Sequence, residues 1–197
     1  MSFDVLSRNF KMLLCLAYPR LSEADTDMIS NFRREHDKKY VNVVGAHWTM
    51  IFPGSSKGIS QDELERHIRA VAEDSAPVDF TCRYALVYDD DGCDDYYIFL
   101  VPDEGFSGVS LLHDRLYSNF MRPKLRLDIP YVPHIGIATS KDREELYDLA
   151  IEWNHRGHEI SGTIDELTLS SYDGGQVADL KRYPLKKRRE QAASSNH

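Results

Sequence analysis

Val44-Gly45-Ala46-His47-Trp48-Thr49-Met50-Ile51-Phe52-Pro53 reads as an apolar strand carrying one polar pair. A second segment, Tyr131-Val132-Pro133-His134-Ile135-Gly136-Ile137-Ala138-Thr139, repeats the layout. Side chains alternate across a strand. In the first segment His47, Thr49 and Ile51 therefore share one face, while Ala46, Trp48, Met50 and Phe52 share the other, as a helix-covered core requires. In the second, His134, Gly136 and Ala138 point one way and Ile135, Ile137 and Thr139 the other. Each strand thus sets an imidazole on the face away from its bulky residues. Thr49 stands two residues beyond His47; Gly136 takes that place beyond His134.

Around these segments the chain alternates. Residues 11–18 read as a buried strand ended by Pro19, and Ser22 then caps a helix to about residue 39. Ile29 and Phe32 form its inner face, with Arg33, Arg34, Asp37 and Lys38 expected in solvent. The first histidine strand, residues 41–52, stops at Pro53-Gly54. Ser60 and Glu63 open a second helix as a capping box. Strands over residues 80–88 and 96–101 meet across Asp89-Asp90-Asp91-Gly92, whose Asp-Gly pair suits a tight hairpin. Calcium-loop spacing is absent there, because Val87 stands where the first carboxylate belongs. Ser107 or Ser110 opens a third helix to about residue 121. The second histidine strand, residues 132–139, and a helix over residues 141–156 follow. Two strands, residues 159–171 and 176–183, close the chain.

The order β α β α β β α β α β β is one layout used twice, with one histidine strand in each half. It predicts an α+β fold: a bilobal, duplicated sheet with outer helices and a central cleft carrying both histidines. With 197 residues, 1–185 suit one two-lobed domain, and 186–197 form a basic, polar tail expected to be disordered. Its lysines and arginines also fit an RNA-contacting or nuclear-targeting arm.

The net charge of −8 excludes a protein that coats nucleic acid by bulk electrostatics, yet permits a phosphorylated ligand in a local pocket. No apolar run approaches the roughly 20 residues needed to span a bilayer, and none reads as a signal peptide. Cys15, Cys82 and Cys93 lack metal-ligand spacing, and an odd count argues against a disulfide framework. A reduced cytoplasmic monomer is expected, with nuclear residence open through the basic tail. Neither cofactor, metal, membrane nor obligate protein partner is called for. His155 and His158, beside Glu152 and Glu159, sit around a helix end where such residues commonly stop a helix. His36, His67 and His113 fall in helices among charged neighbours and are expected at the surface.

A lone histidine two residues before a hydroxyl arises often by chance. Two matched strands in matched halves do not. The pair resembles the two H-x-[ST] motifs of the 2H phosphoesterase superfamily, which includes 2′-5′ RNA ligase-like proteins and cyclic phosphodiesterases. Ala17-Tyr18-Pro19, the His-x-Thr-x-x-Phe-Pro run, the Pro-His-Ile-x-Ile-Ala run and Gly162-Thr163-Ile164-Asp165-Glu166-Leu167-Thr168-Leu169 carry the likeness over most of the chain. Gly136 departs from the motif.

The resemblance implies that His47 and His134 face each other and act as general acid and base, in an order left open, on a nucleotide or RNA-end substrate. Thr49 and the Gly136 position would meet the phosphate, with Tyr131, Arg83 and Tyr84 as possible cleft-lining residues. The activity expected is hydrolysis of a 2′,3′-cyclic phosphate or a related cyclic or 2′-5′-linked nucleotide. The alternatives are a weakened nucleotide- or RNA-binding module using the same cleft, and a regulatory partner in which the cleft is vestigial.

Overall fold

Met12–Ala17, the first strand (β1), lies inside its sheet rather than at the edge and has both faces buried. Leu13, Cys15 and Ala17 join the main core, whereas Leu14 and Leu16 pack with Tyr172 in a second cluster on the opposite side. The computed structural model describes residues 12–89 and 94–186. The expected hairpin turn beyond Asp89 and the tail beyond Lys186 lie outside them.

The remaining strands are β2 (Arg20–Leu21), β3 (Trp48–Ile51), β4 (Val78–Asp89), β5 (Tyr96–Glu104), β6 (Ile135–Ser140), β7 (Ile160–Ile164), β8 (Glu166–Asp173) and β9 (Gln176–Pro184). They form two antiparallel sheets, ordered β3-β1-β8-β9 and β2-β7-β4-β5-β6. The strands that follow the two histidines, β3 and β6, are the edge strands of their sheets. The continuous strand expected over residues 159–171 breaks at Asp165, so that β7 serves one sheet and β8 the other. Arg20 Nε donates to the Asp165 carboxylate at 2.8 Å, and Leu185 N–H donates to the Asp165 carbonyl at 2.8 Å, which holds the crossing point.

Among the described residues four α-helices pack against the sheets: α1 (Glu23–His36), α2 (Gln61–Glu73), α3 (Phe106–Leu116) and α4 (Arg143–His155). Ser22 and Ser60 cap α1 and α2 as their sequences require, accepting from the N–H groups of Asp25 and Glu63. Neither Ser107 nor Ser110 opens α3, which starts at Phe106 behind Gly105. Gly105 has φ 83°, and a Cβ there would stand 2.3 Å from the Asp79 carbonyl oxygen, so only glycine fits. The two lobes share one core. Trp48 of β3 meets Phe80 of β4 edge-to-face, with centroids 4.9 Å apart, and both rings are buried.

Four residues expected at the surface are buried. His67 is buried, one ring nitrogen bonding the Leu116 carbonyl at 2.9 Å. His113 is buried and stacks on Tyr131 at 3.6 Å. Arg33 and Asp37, expected in solvent, are only 4% and 2% exposed. The reason is helical spacing: Ile29, Arg33 and Asp37 recur every fourth residue and so lie on the inner face. There Arg33 Nη2 and Nε donate to Asp37 Oδ2 at 3.0 and 3.1 Å, and Nη2 also donates to the Val44 carbonyl at 2.9 Å. Asp37 Oδ1 accepts from Tyr40 N–H at 3.1 Å and from the Thr139 hydroxyl at 3.2 Å.

Removing one partner of such a pair leaves the other buried and uncompensated, at about 3–5 kcal/mol. Asp37→Ala is therefore expected to lower unfolding stability by that order, read as a fall in the urea midpoint. A loss under about 1 kcal/mol would mean that Arg33 finds water or another carboxylate.

Candidate active site

His47 and His134 are held in the same way, one residue ahead of β3 and β6 rather than within them. His47 Nδ1 lies 2.8 Å from the Gly45 carbonyl, and His134 Nδ1 lies 2.7 Å from the Val132 carbonyl. A carbonyl only accepts, so Nδ1 of each neutral ring carries the proton and Nε2 keeps its lone pair. The lead-ins are extended for local reasons. Val132 precedes Pro133, which disfavours helical backbone, and the Arg33 guanidinium ties down the Val44 carbonyl.

The rings have different neighbours. His134 lies flat on Phe99, with centroids 3.6 Å apart and planes 12° from parallel. His47 meets Tyr18 edge-on at 6.5 Å, and the Tyr18 hydroxyl donates to Asp179 at 2.9 Å. Both imidazoles are pushed down to about 4. Burial is the main cause for each, opposed by the backbone carbonyl, and Arg33 further lowers His47. His47 also lowers His134. Each ring is only half-buried by area, which leaves an accessible edge.

Register then places the neighbouring positions. Thr49 pairs with Leu16 and is half-exposed, on the same face as His47. The ladder shifts before Cys15 pairs with Ile51, so Ile51 leaves the Thr49 face and joins the main core. Gly136 pairs with Phe99, and a Cβ at Gly136 would meet nothing within 4 Å. A matching shift occurs here: Ile98 pairs with Ala138, which is buried, while Tyr97 pairs with Thr139. Both β3 and β6 thus bulge just past the position two residues after histidine. The bulge carries Thr139 to the register position of Tyr97, but its hydroxyl is committed to Asp37.

The other sequence-derived candidates divide. Tyr131 stacks on His113, and its hydroxyl donates to the Thr49 carbonyl at 3.3 Å, so it supports β3 from the side of α3. Arg83 is held by Glu159, Asp103 and Glu104 at 2.9, 2.7 and 2.6 Å, which raises its pKa and commits each guanidinium nitrogen to a carboxylate. Tyr84 pairs with Val101, two residues from Phe99, and is 59% exposed at the rim of that sheet face. Sequence reading passed over Tyr18, Phe99, Arg33 and Asp37. For Arg33 and Asp37 the fourfold spacing after Ile29 was the available signal. For Tyr18 and Phe99 there was none, because their contacts to histidine depend on strand pairing.

The pattern that defines the 2′-5′ RNA ligase superfamily matches residues 19–176. No curated protein sequence gives a significant match. Among solved structures the chain is similar to Escherichia coli LigT in its apo form, at 17% identity and TM-score 0.55, over 91% of this chain and 100% of that one. LigT complexed with 3′-AMP matches at 16% identity and TM-score 0.53, over 90% of this chain and 99% of that one. The Thermus thermophilus protein TT0787 matches at 15% identity and TM-score 0.59, over 90% of this chain and 100% of that one. The chain belongs to the 2′-5′ RNA ligase superfamily and has its two-sheet fold.

Neutral histidines with lowered pKa values make the folded state sensitive to acid. Their pKa values near 4 lie below the unfolded value of about 6.5. Below that value the unfolded chain takes up protons that the folded chain refuses, so stability falls as pH drops from 6.5 toward 4. A His47→Gln/His134→Gln variant is expected to lose less stability over this window than the natural chain. Urea midpoints at pH 7 and pH 4.5 measure the difference, and equal losses would show that neither ring is depressed.

Proposed function

We propose that the chain is a metal-independent phosphoesterase that opens a 2′,3′-cyclic phosphate, or a related cyclic or 2′-5′-linked nucleotide, by two-histidine acid–base catalysis. The observation that carries this reading is the matched anchoring of His47 and His134, each fixed through Nδ1 with Nε2 left for chemistry. Membership of a superfamily of RNA ligase-like phosphoesterases supports it.

One neutral imidazole takes a proton from water through Nε2 as the water oxygen attacks phosphorus. The P–O bond to the leaving ribose oxygen breaks, and the other, protonated imidazole gives that oxygen its proton. The Thr49 hydroxyl donates to a non-bridging phosphate oxygen and offsets charge that builds there. Both rings are neutral in the empty site at pH 7. The bound phosphate anion, being opposite in charge, favours protonation of one of them. Substrate thus helps to make its own acid.

Gly136 favours the second reading, a binding module with weak turnover, because the second hydroxyl donor is missing. The decisive measurement is hydrolysis of nucleoside 2′,3′-cyclic phosphates and short RNAs with cyclic phosphate ends, with chelator present. Activity is expected in the natural chain and is expected to fall at least a thousandfold in His47→Ala and in His134→Ala. Binding without turnover moves the assignment to the second reading.

The same assay gives two further expectations. Since the singly protonated site is scarce well above pH 4, kcat/KM is expected to rise as pH falls from 7.5 to 5.5, with the kcat profile displaced to higher pH. A profile rising toward alkaline pH would contradict the acid role. Gly136→Thr fits the open space and is expected to raise kcat, since one such donor is commonly worth about 10²–10³ in rate. Unchanged or lower kcat would mean that the gap serves substrate fit.

A further inference from the structure

His47 and His134 share one hydrogen-bonding plan, but their lead-ins differ in stiffness. Pro133 stands directly before His134 and locks its own φ, whereas Gly45 supplies the carbonyl that fixes His47. Residues 41–47 are neither helix nor strand, and glycine is the least restrained residue such a segment can carry. The His47 anchor therefore needs bracing from other elements. Arg33 of α1 gives one hold, on the Val44 carbonyl.

Tyr18 gives a second. Its ring meets the His47 ring edge-on, with centroids 6.5 Å apart and planes at 65°. A Cβ at Gly45 would lie 4.0 Å from Tyr18 Cε1, so the same ring also borders the anchoring residue. Tyr18 follows β1 and precedes Pro19, which favours extended backbone. From there its phenol reaches past β8 to the edge strand β9, where the hydroxyl donates to Asp179 Oδ1 at 2.9 Å. The same oxygen accepts from the Ser170 hydroxyl of β8 at 2.9 Å, and Arg182 Nη2 donates to Asp179 Oδ2 at 3.3 Å. The Arg182 guanidinium carbon lies 6.0 Å from the centre of the Tyr18 ring, within reach of a cation–π contact. Burial and Asp179 push the phenol pKa up, so Tyr18 stays protonated and keeps donating near neutral pH.

We propose that Tyr18 is a positioning residue for His47. Braced by Asp179 across the first sheet, its ring keeps Gly45 and the imidazole in place, so that Nδ1 stays on the Gly45 carbonyl and Nε2 is presented for chemistry. The effect on rate rests on the phosphoesterase reading; the effect on the ring does not.

Nitrogen NMR of histidine-labelled protein at pH 7 shows which ring atom carries the proton. His47 of the natural chain is expected as the Nδ1–H form. In Tyr18→Leu it is expected to move toward the mixture of tautomers that an unanchored imidazole shows, while His134 keeps Nδ1–H. With a nucleoside 2′,3′-cyclic phosphate as substrate, kcat of Tyr18→Leu is expected to fall about a hundredfold and KM to change less than about twofold. Tyr18→Phe and Asp179→Leu each remove the phenol hydrogen bond and should lose about tenfold in kcat. Asp179→Asn restores an acceptor and should recover most of that loss. The double variant Tyr18→Phe/Asp179→Leu should lose no more than either single one, because both remove the same bond. That cycle decides the matter should Tyr18→Leu fold poorly. A His47 that keeps Nδ1–H in Tyr18→Leu, an unmoved kcat, or losses that multiply in the double variant overturn the brace. If the natural chain hydrolyses nothing, the phosphoesterase reading fails by itself. The His47 tautomer in Tyr18→Leu and Asp179→Leu then decides the brace: a shift supports it, and an unaltered Nδ1–H form overturns it.

Discussion

The buried Arg33–Asp37 pair is the constraint from which the site is built. One guanidinium and one carboxylate, a turn apart at the end of α1, satisfy a backbone carbonyl before His47, a hydroxyl on β6 and the backbone of the Tyr40 loop. Burying a charge is costly unless it is paired and hydrogen-bonded. Here the pair's own two bonds and those to Val44, Tyr40 and Thr139 offset the cost. The first histidine belongs to one sheet and the second to the other, and α1 is where their supports meet. Trp48 against Phe80 joins the same two sheets from the apolar side.

The chemistry inherits an asymmetry from this arrangement. The two imidazoles are fixed alike, but His47 has Thr49 beside it and His134 has Phe99 beneath it with open space at Gly136. The bulge after Gly136 brings Thr139 to the register position of an aromatic ring on β5, yet Asp37 already holds its hydroxyl. A hydroxyl is therefore present nearby but serves structure. Burial pushes both rings toward the neutral form.

Much of the layout was legible along the chain. Serine caps located α1 and α2, proline stops and apolar alternation located most other elements, and the duplication of the layout pointed to the cleft. Misreadings cluster where local pattern and tertiary setting disagree. Arg33, Asp37, His67 and His113 look like surface residues among charged neighbours, yet each is buried where a group from another segment meets it, a hydrogen-bond partner for the first three and the Tyr131 ring for His113. The run over residues 159–171 has strand composition throughout, but a bend at Asp165 divides it between two sheets. Arg83 has the charge for a phosphate ligand, and three carboxylates from other positions take it up.

By itself the sequence determined the repeated element order, the pairing of His47 with Thr49 and of His134 with Gly136, and the family they resemble. These follow from spacing, which needs no partner. Only the tertiary structure decided that the histidines stand just ahead of edge strands, that each is oriented through Nδ1, and that Arg33 and Asp37 are buried against Val44, Tyr40 and Thr139. Nor could the chain alone show Phe99 under His134 or Tyr40 across from Tyr97. Each of these depends on register and bulges between strands distant in sequence, and a shift of one residue turns every side chain to the other face.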